Sequence, residues 1–316
     1  MKKRIKNITE YIRVKFFQPF FRKMCGWDKL EERLEAIEYI INKGIDITSF
    51  PPATGLLRQC QTAGAEFLRI VCRTLEENGL TYWLDYGTLL GAVRHKGYIP
   101  WDDDIDIMMP RADYNRFLRE FNGFYKELEV RAPELDLSYY APYANVMDNR
   151  TLLVEPTLRH NDIGVKVDIF PIDNVPDEKN LYENICKRSG ILNRIRHSKI
   201  VNLNYYTGVT KLKFFVKKMM SLHKSLEKAQ KGLIELGNTY NNMSCEFVDC
   251  ITFITIKNRK FPKKCIEGFE YVIFENEKFK APNDYDICLT ALFGNYMQLP
   301  PEEKRIAHHN FQAYWK

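Results

Sequence analysis

Between Trp101 and Pro110 the chain reads Trp-Asp-Asp-Asp-Ile-Asp-Ile-Met-Met-Pro, which puts four carboxylates within five residues. A strand turns successive side chains to opposite faces, so Asp102, Asp104 and Asp106 are expected on one side and Ile105, Ile107 and Asp103 on the other. Ile107, Met108 and Met109 mark such a strand as largely buried. Carboxylates crowded on a buried face raise one another's proton affinity unless a cation compensates them. Oxygen-only donors suit Mg²⁺ or Mn²⁺. A solvated acidic loop is the ordinary reading of an acidic run, but isoleucines alternate with these aspartates and Trp101 adjoins them. Asp102, Asp104, Asp106 and Asp113 fall at positions 1, 3, 5 and 12 of a calcium loop, yet Ile107 occupies the position that demands glycine. A plain structural strand is the remaining alternative to a metal site.

Just upstream, Thr81–Tyr86 is aromatic and β-prone, and Gly87-Thr88 offers a turn with a hydroxyl N-cap for a short helix over Leu89–Val93. Outward amides at such a helix start make a seat for phosphate. The helix is expected to end near Arg94-His95-Lys96-Gly97. Arg94 could grip phosphate oxygens bidentately and Lys96 could act as a point charge, or both could be surface cations. Further on, Gly164–Phe170 alternates Val165, Val167 and Ile169 with Lys166, Asp168 and Phe170, the two-residue period of a strand.

These residues need scaffolding, and the rest of the chain supplies it. A helix is expected from about Gly55 to Asn78, stopped by Gly79, with Leu56, Leu57, Ala63, Phe67, Leu68, Val71 and Leu75 as its buried stripe. Another is expected from Arg111 to about Leu128, with Tyr114, Phe117, Leu118 and Phe121 inward. Short strands follow over 143–170, two or three helices over 177–243, a hairpin around Glu275-Asn276-Glu277, and a short helix over Asp284–Phe293. A linker rich in Gly or Ser is absent, which favours one globular body with helical additions.

The run Asp85-Tyr-Gly-Thr-Leu-Leu-Gly-Ala-Val-Arg-His-Lys-Gly-Tyr-Ile-Pro-Trp-Asp-Asp-Asp-Ile-Asp-Ile107 resembles the signature of the LicD family, which includes bacterial phosphorylcholine transferases and the fukutin-related proteins. Weaker similarity runs through Val167–Asp173 and Leu292–Met297 with Pro300-Pro301, so that about 55–310 is covered. The resemblance implies an α+β fold of the nucleotidyltransferase type, related to DNA polymerase β, with a mixed sheet flanked by helices and a helical insertion around 177–243. It implies Gly87-Thr88 as the turn, Asp104 and Asp106 as the metal pair, and Asp168 as third carboxylate, with Asp173 as the alternative. Asp102 matches the first acid of the motif. The implied activity is metal-dependent transfer of phosphocholine from CDP-choline to a hydroxyl of a cell-surface glycan or its lipid-linked precursor. Polyol-phosphate transfer (ribitol or glycerol phosphate) from a CDP donor is the nearest alternative. A choline head group would call for aromatic rings around it, and Tyr139, Tyr140 and Tyr143 are candidates.

Composition narrows the field. The formal net charge is +6, and residues 1–24 alone carry eight Lys and Arg against Glu10, leaving the remainder near neutral. That argues against nucleic-acid binding, which needs a positive track. Ile5, Ile8, Ile12 and Phe16 give the same stretch an apolar helical face, suited either to a membrane interface or to the protein's own body. The N-terminal 1–50 is therefore read as a basic, amphipathic helical segment outside the catalytic domain. A non-catalytic membrane-associated module, using basic segments 1–24 and 211–231, is the reading from another class. No apolar run is long enough to span a bilayer and no secretory signal is evident, so a cytoplasmic protein, peripheral at the inner face of the membrane through 1–24 on the first reading, is expected. The eight cysteines are scattered without a Cys-x-x-Cys pair, which fits reduced thiols better than a zinc site. The adjacent His308-His309 point apart on most backbones and are not read as ligands.

Overall fold

The computed structural model describes residues 50–121, 127–159, 163–254, 259–301, 304–305 and 312–315. The expectations for residues 1–24, the N-terminal helices and His308-His309 lie outside the described residues. The compact unit treated below comprises Thr48–Tyr296 and Pro301–Lys316.

Helix α1 (Gly55–Glu77) is capped by Asn78 and followed by Gly79 with φ of 64°, the left-handed stop the sequence suggested. Its buried stripe starts later than expected. Leu56 and Ala63 are exposed, and the helix meets the body at Gln61, Gly64, Phe67, Leu68, Val71 and Leu75. The contact begins at Gln61 because its amide donates to the Asp102 carbonyl at 2.8 Å.

Strand β1 (Trp83–Leu84) leads into α2 (Tyr86–His95), then β2 (Asp106–Pro110) and α3 (Arg111–Glu120). Tyr114, Phe117, Leu118 and Phe121 are buried as expected. The helix stops eight residues before the expected end, and Leu128 opens β3 (Leu128–Arg131) instead. Leu128 and Val130 are buried while Glu129 and Arg131 are half-buried, so the two-residue period wins there over the helical one. Next come β4 (Ala144–Asp148), β5 (Thr151–Val154) and the ten-residue β6 (Lys166–Val175). Three helices follow, α4 (Lys179–Ile200), α5 (Gly208–Met220) and α6 (Leu226–Asn238), then short strands β7 (Phe247–Asp249) and β8 (Phe261–Pro262). The hairpin β9 (Phe269–Phe274) and β10 (Glu277–Pro282) turns on Glu275-Asn276, both with positive φ (49° and 68°), as a two-residue hairpin loop requires. Helix α7 (Tyr285–Phe293) follows, and β11 (Gln312–Trp315) pairs with β5. Among the described residues no helix is long and apolar enough to cross a membrane.

The fold is thus mixed α/β. Its main sheet has seven strands, with the path β1-β2-β6-β4-β3, β7 added beside β6 and β8 beside β7. The pair β2–β6 is parallel and its neighbours are antiparallel. Alternation along the central strands sends their residues to two cores. Ile107, Met109, Val167 and Ile169 join α1 and α3 on one face. Met108 and Phe170 join Trp83, Val248 and Cys288 on the other. Asp106 and Asp168 lie two residues before Met108 and Phe170 and therefore share this second face.

Candidate active site

The parallel register sets Asp106 directly opposite Asp168, and the antiparallel register of β4 sets Asn145 opposite Asp168 on its other side. Three central strands thus carry Asp106, Asp168 and Asn145 in one row, all buried. Asp168 is well held. Lys166 Nζ lies 2.5 Å from its Oδ1, the Asn145 amide donates to the same oxygen, and the Tyr143 hydroxyl donates to Oδ2 at 3.1 Å. Tyr139 in turn donates to Asn145 Oδ1 and fixes its orientation. Lys166 and Asp168 share a face because they are two apart on a strand.

Asp106 is different. Its backbone N–H donates to Thr88 Oγ1 at 2.9 Å, and its carbonyl accepts from the Asp85 N–H at 3.0 Å. These two bonds staple the start of α2 to the start of β2. Its carboxylate, by contrast, meets no hydrogen-bond donor or cation among the described residues. Burial, and then the charges of Asp104, Asp168, Asp102 and Asp85, hold its proton affinity well above the usual carboxylate range. Burial likewise raises Asp168, Lys166 working against it and Asp104 adding to it. Burial works against the charge of Lys166, but Asp168, Tyr140 and Asp104 outweigh it and keep the ammonium well above its ordinary value.

The strand expected over Asp102–Met108 begins only at Asp106; residues 102–105 are irregular. The reason is local. Strand β1 is two residues long and pairs only with Ile107 and Met108, leaving the upstream aspartates without a ladder on that side. The Asp102 side chain instead accepts from the Asp103 N–H at 3.0 Å, and Asp102 N–H donates to the Ile99 carbonyl in a turn. Asp102, Asp103 and Asp104 consequently gather one carboxylate oxygen each within 4.8 Å of one another, on a half-buried loop rather than along one strand face. Burial, Asp104 and Asp103 push Asp102 up to about 7. Asp104 reaches the strand pair through its charge, which raises both Asp106 and Asp168. It also lines, with Asp103, Lys166, Glu155, Cys60 and Gly64, a small cleft of about 70 Å³.

Gly87 and Thr88 are placed at this centre, though not as a cap. Helix α2 already starts at Tyr86 with Asp85 in the N-cap position, so Thr88 belongs to its first turn and spends its hydroxyl on Asp106. A Cβ on Gly87 would collide with Asp102 Oδ2 and lie 3.9 Å from Asp106 Oδ2, so glycine lets the helix start pass beside the carboxylates. Asp85 is buried against Arg259, whose guanidinium also lies 4.0 Å over the Tyr86 ring.

Arg94 and Lys96 stand at the other end of α2. Arg94 is only 3% exposed, donates to the Tyr296 carbonyl at 2.9 Å and to His95 Nε2 at 2.9 Å, and is pulled down to about 10 by burial. The Lys96 ammonium turns back to the Val93 carbonyl, and its own backbone is left-handed (φ 60°). Asp173 lies on β6, more firmly on a strand than its following Pro171 suggested. Arg111 grips it bidentately at 2.7 and 2.9 Å, and Asn241 adds a third donor at 2.8 Å. Asp173 is therefore a fully compensated structural carboxylate.

Of the three tyrosines, Tyr143 reaches the row of acids, whereas Tyr139 and Tyr140 stack on each other with centroids 4.8 Å apart. Around Tyr143 the sequence reading missed Phe170 (4.3 Å), Phe253 (5.1 Å) and, 4.7 Å from Phe170, Tyr86. It also missed Gln61, Asn145 and Lys166. Lys166 was within reach of sequence reasoning, being two residues from Asp168 on an alternating strand. The others are brought in by tertiary contact and left no local signal.

A divalent cation fits this set of donors. The ligand atoms offered are all carboxylate oxygens, and the buried Asp106 carboxyl meets no donor or cation among the described residues. The acids whose oxygens come within 4.8 Å of one another are Asp102, Asp103 and Asp104, while Asp106 faces Asp168 across the parallel strand pair.

Comparison with known proteins agrees with this geometry. Residues 79–188 match the LicD family, described as the LicD/FKTN/FKRP nucleotidyltransferase domain. The chain is 32% identical over 263 residues to the lipopolysaccharide cholinephosphotransferase LicD of Haemophilus influenzae, covering 82% of this chain and 97% of that protein. A shorter stretch of 48 residues is 50% identical to the human ribitol 5-phosphate transferase FKRP, covering 15% of this chain and 10% of that one. With near-complete coverage of one relative and the family's domain centred on the acid-bearing strands, the chain belongs to the LicD family of transferases.

Proposed function

We propose that this protein transfers phosphocholine from CDP-choline to a hydroxyl of a cell-surface glycan or its lipid-linked precursor, with Mg²⁺ or Mn²⁺ held by Asp104, Asp106 and Asp168 in a nucleotidyltransferase-type core. The observation that carries the reading is Asp106, buried, facing Asp168 across parallel strands and without a compensating group among the described residues. Similarity to a lipopolysaccharide cholinephosphotransferase over 97% of that protein supports phosphocholine as the group moved and a glycan as acceptor.

When bound, the cation supplies charge neutralisation for the donor's diphosphate. The chain's own residues do the rest. Lys166, beside Asp104 in the cleft and on the same strand face as Asp168, is the cation placed to hold a donor phosphate oxygen. Asp168 Oδ2, raised by burial and bonded among the described residues to the Tyr143 hydroxyl, either completes the metal shell or takes the acceptor hydroxyl's proton. Gly87 lets the start of α2 pass close beside the Asp102 and Asp106 carboxylates. Tyr143, Phe170, Phe253 and Tyr86 supply aromatic surface next to Asp168 for a quaternary ammonium. Arg94 and Lys96 in this scheme fix the far end of α2 and leave the phosphate to Lys166.

The test is nucleotide release from CDP-choline, CDP-ribitol and CDP-glycerol in the presence of Mg²⁺ and a glycan acceptor. Choline-dependent CMP release that disappears in Asp106→Asn is expected. Release only from a CDP-polyol would transfer the reading to polyol-phosphate transfer. Absence of release from every donor would support a non-catalytic module.

A further inference from the structure

From Asn184 to Leu226 the chain carries ten Lys and Arg and no Asp or Glu, a second basic stretch besides the N-terminal one. Helix α5 lies inside it and buries none of its residues. Its aromatic contacts among the described residues lie along one side. Phe214 packs on Tyr206 (4.6 Å) and His197 (5.4 Å), and just beyond the helix the Ser221 carbonyl accepts from Lys199 Nζ at 2.7 Å. The side opposite Phe214 carries Leu212, Phe215, Val216, Met219 and Met220, at helical spacings of three and four, each 47–73% exposed. At 100° per residue, Lys211 and Lys218 flank that stripe on one edge and Lys213 and Lys217 on the other.

A stripe of large apolar side chains left in water needs an occupant. Charge decides which one. Cations border both edges of the stripe and α5 carries no Asp or Glu, so the occupant is anionic. An apolar layer beneath a plane of negative charge is an anionic bilayer: Phe, Leu, Val and Met enter the acyl boundary while the lysines reach up to the headgroups. A second copy of this chain would set the same lysines against one another. We infer that α5 is a peripheral membrane-docking helix that lies in the interface of a bilayer containing anionic lipid. The inference concerns binding alone and does not depend on the reaction proposed above.

The full chain is tested by sedimentation with phosphatidylcholine vesicles with and without phosphatidylglycerol. Binding should require phosphatidylglycerol and weaken as salt rises. Replacing lysines among Lys211, Lys213, Lys217 and Lys218 by Gln should weaken it roughly fivefold each. Phe215→Asp with Met219→Asp should weaken it more than about tenfold. Hydrogen exchange on the wild-type chain gives a readout that needs no variant: vesicles should protect amides of 208–222. Unchanged binding by the double variant, or no protection of 208–222, would overturn the proposal and place the contact elsewhere, the first 24 residues included. So would a wild-type dimer in light scattering that the double variant disperses, or binding to polyglutamate as tight as to the vesicles.

Discussion

Replacing Asp106 by Asn should stabilise the protein without metal and destabilise it, relative to wild type, with metal. The side chain is buried, faces Asp168, and receives no donor from the described residues, so its negative charge is a cost to the metal-free fold. An amide of the same shape removes that cost, worth roughly 1–3 kcal/mol after relaxation. At about 2–4 °C per kcal/mol, the metal-free melting temperature should rise by several degrees. The pH dependence has a definite sign. The folded-state proton affinity of Asp106 lies above its unfolded value, so this group is harmless below about pH 4 and increasingly costly as pH rises through its folded pKa. The advantage of Asn should therefore grow from about pH 4 up to that folded pKa, hold above it, and shrink on acidification. Mg²⁺ at a hundredfold excess over its Kd stabilises wild type by about 2.7 kcal/mol and should do little for the variant, so the order of stabilities reverses. Differential scanning fluorimetry with EDTA and with Mg²⁺ reads all four states. A variant less stable than wild type in EDTA, or one stabilised by Mg²⁺ as much as wild type, would refute the reasoning.

Four further outcomes are expected. Lys166→Met should raise KM for the nucleotide donor by about tenfold or more, because a point charge beside the cleft is lost; steady-state kinetics with the donor varied would show it, and Lys166→Arg should recover part of the loss. Arg111→Ala leaves Asp173 buried and unpaired and should cost about 3–5 kcal/mol in urea denaturation. Mg²⁺ affinity at the site, followed by calorimetry, should not change in Asp173→Asn, since that carboxylate is consumed by Arg111 and Asn241. Finally, Asp102 is raised to about 7, so metal binding that needs this carboxylate ionised should weaken below neutrality by up to about tenfold per pH unit. In two buffers of different ionisation enthalpy, calorimetry should then report proton release on Mg²⁺ binding near pH 6.

Much of this protein is written locally. The period of three to four in Phe67–Leu75 and Tyr114–Phe121 makes helices, and the period of two in Val165–Ile169 makes a strand, because burial of one face suffices to choose between them. Gly79 and Glu275-Asn276 punctuate the chain through left-handed backbone that few residues adopt. The density of aspartates between Trp101 and Ile107 singled out the candidate site from sequence alone. What the sequence could not supply was the partner of each group. Asp168 faces Asp106 because β2 and β6 pair in parallel with one register among many, and a shift of one residue would have sent either carboxylate to the opposite core. Asp173 lies on the same strand and is the same residue type, yet Arg111 from α3 consumes it. The expected strand over Asp102–Ile105 gave way to a loop because a two-residue β1 offers these residues no ladder. Local pattern depends on neighbours along the chain, whereas compensation of a buried charge depends on neighbours in space, and the tertiary structure alone determines those.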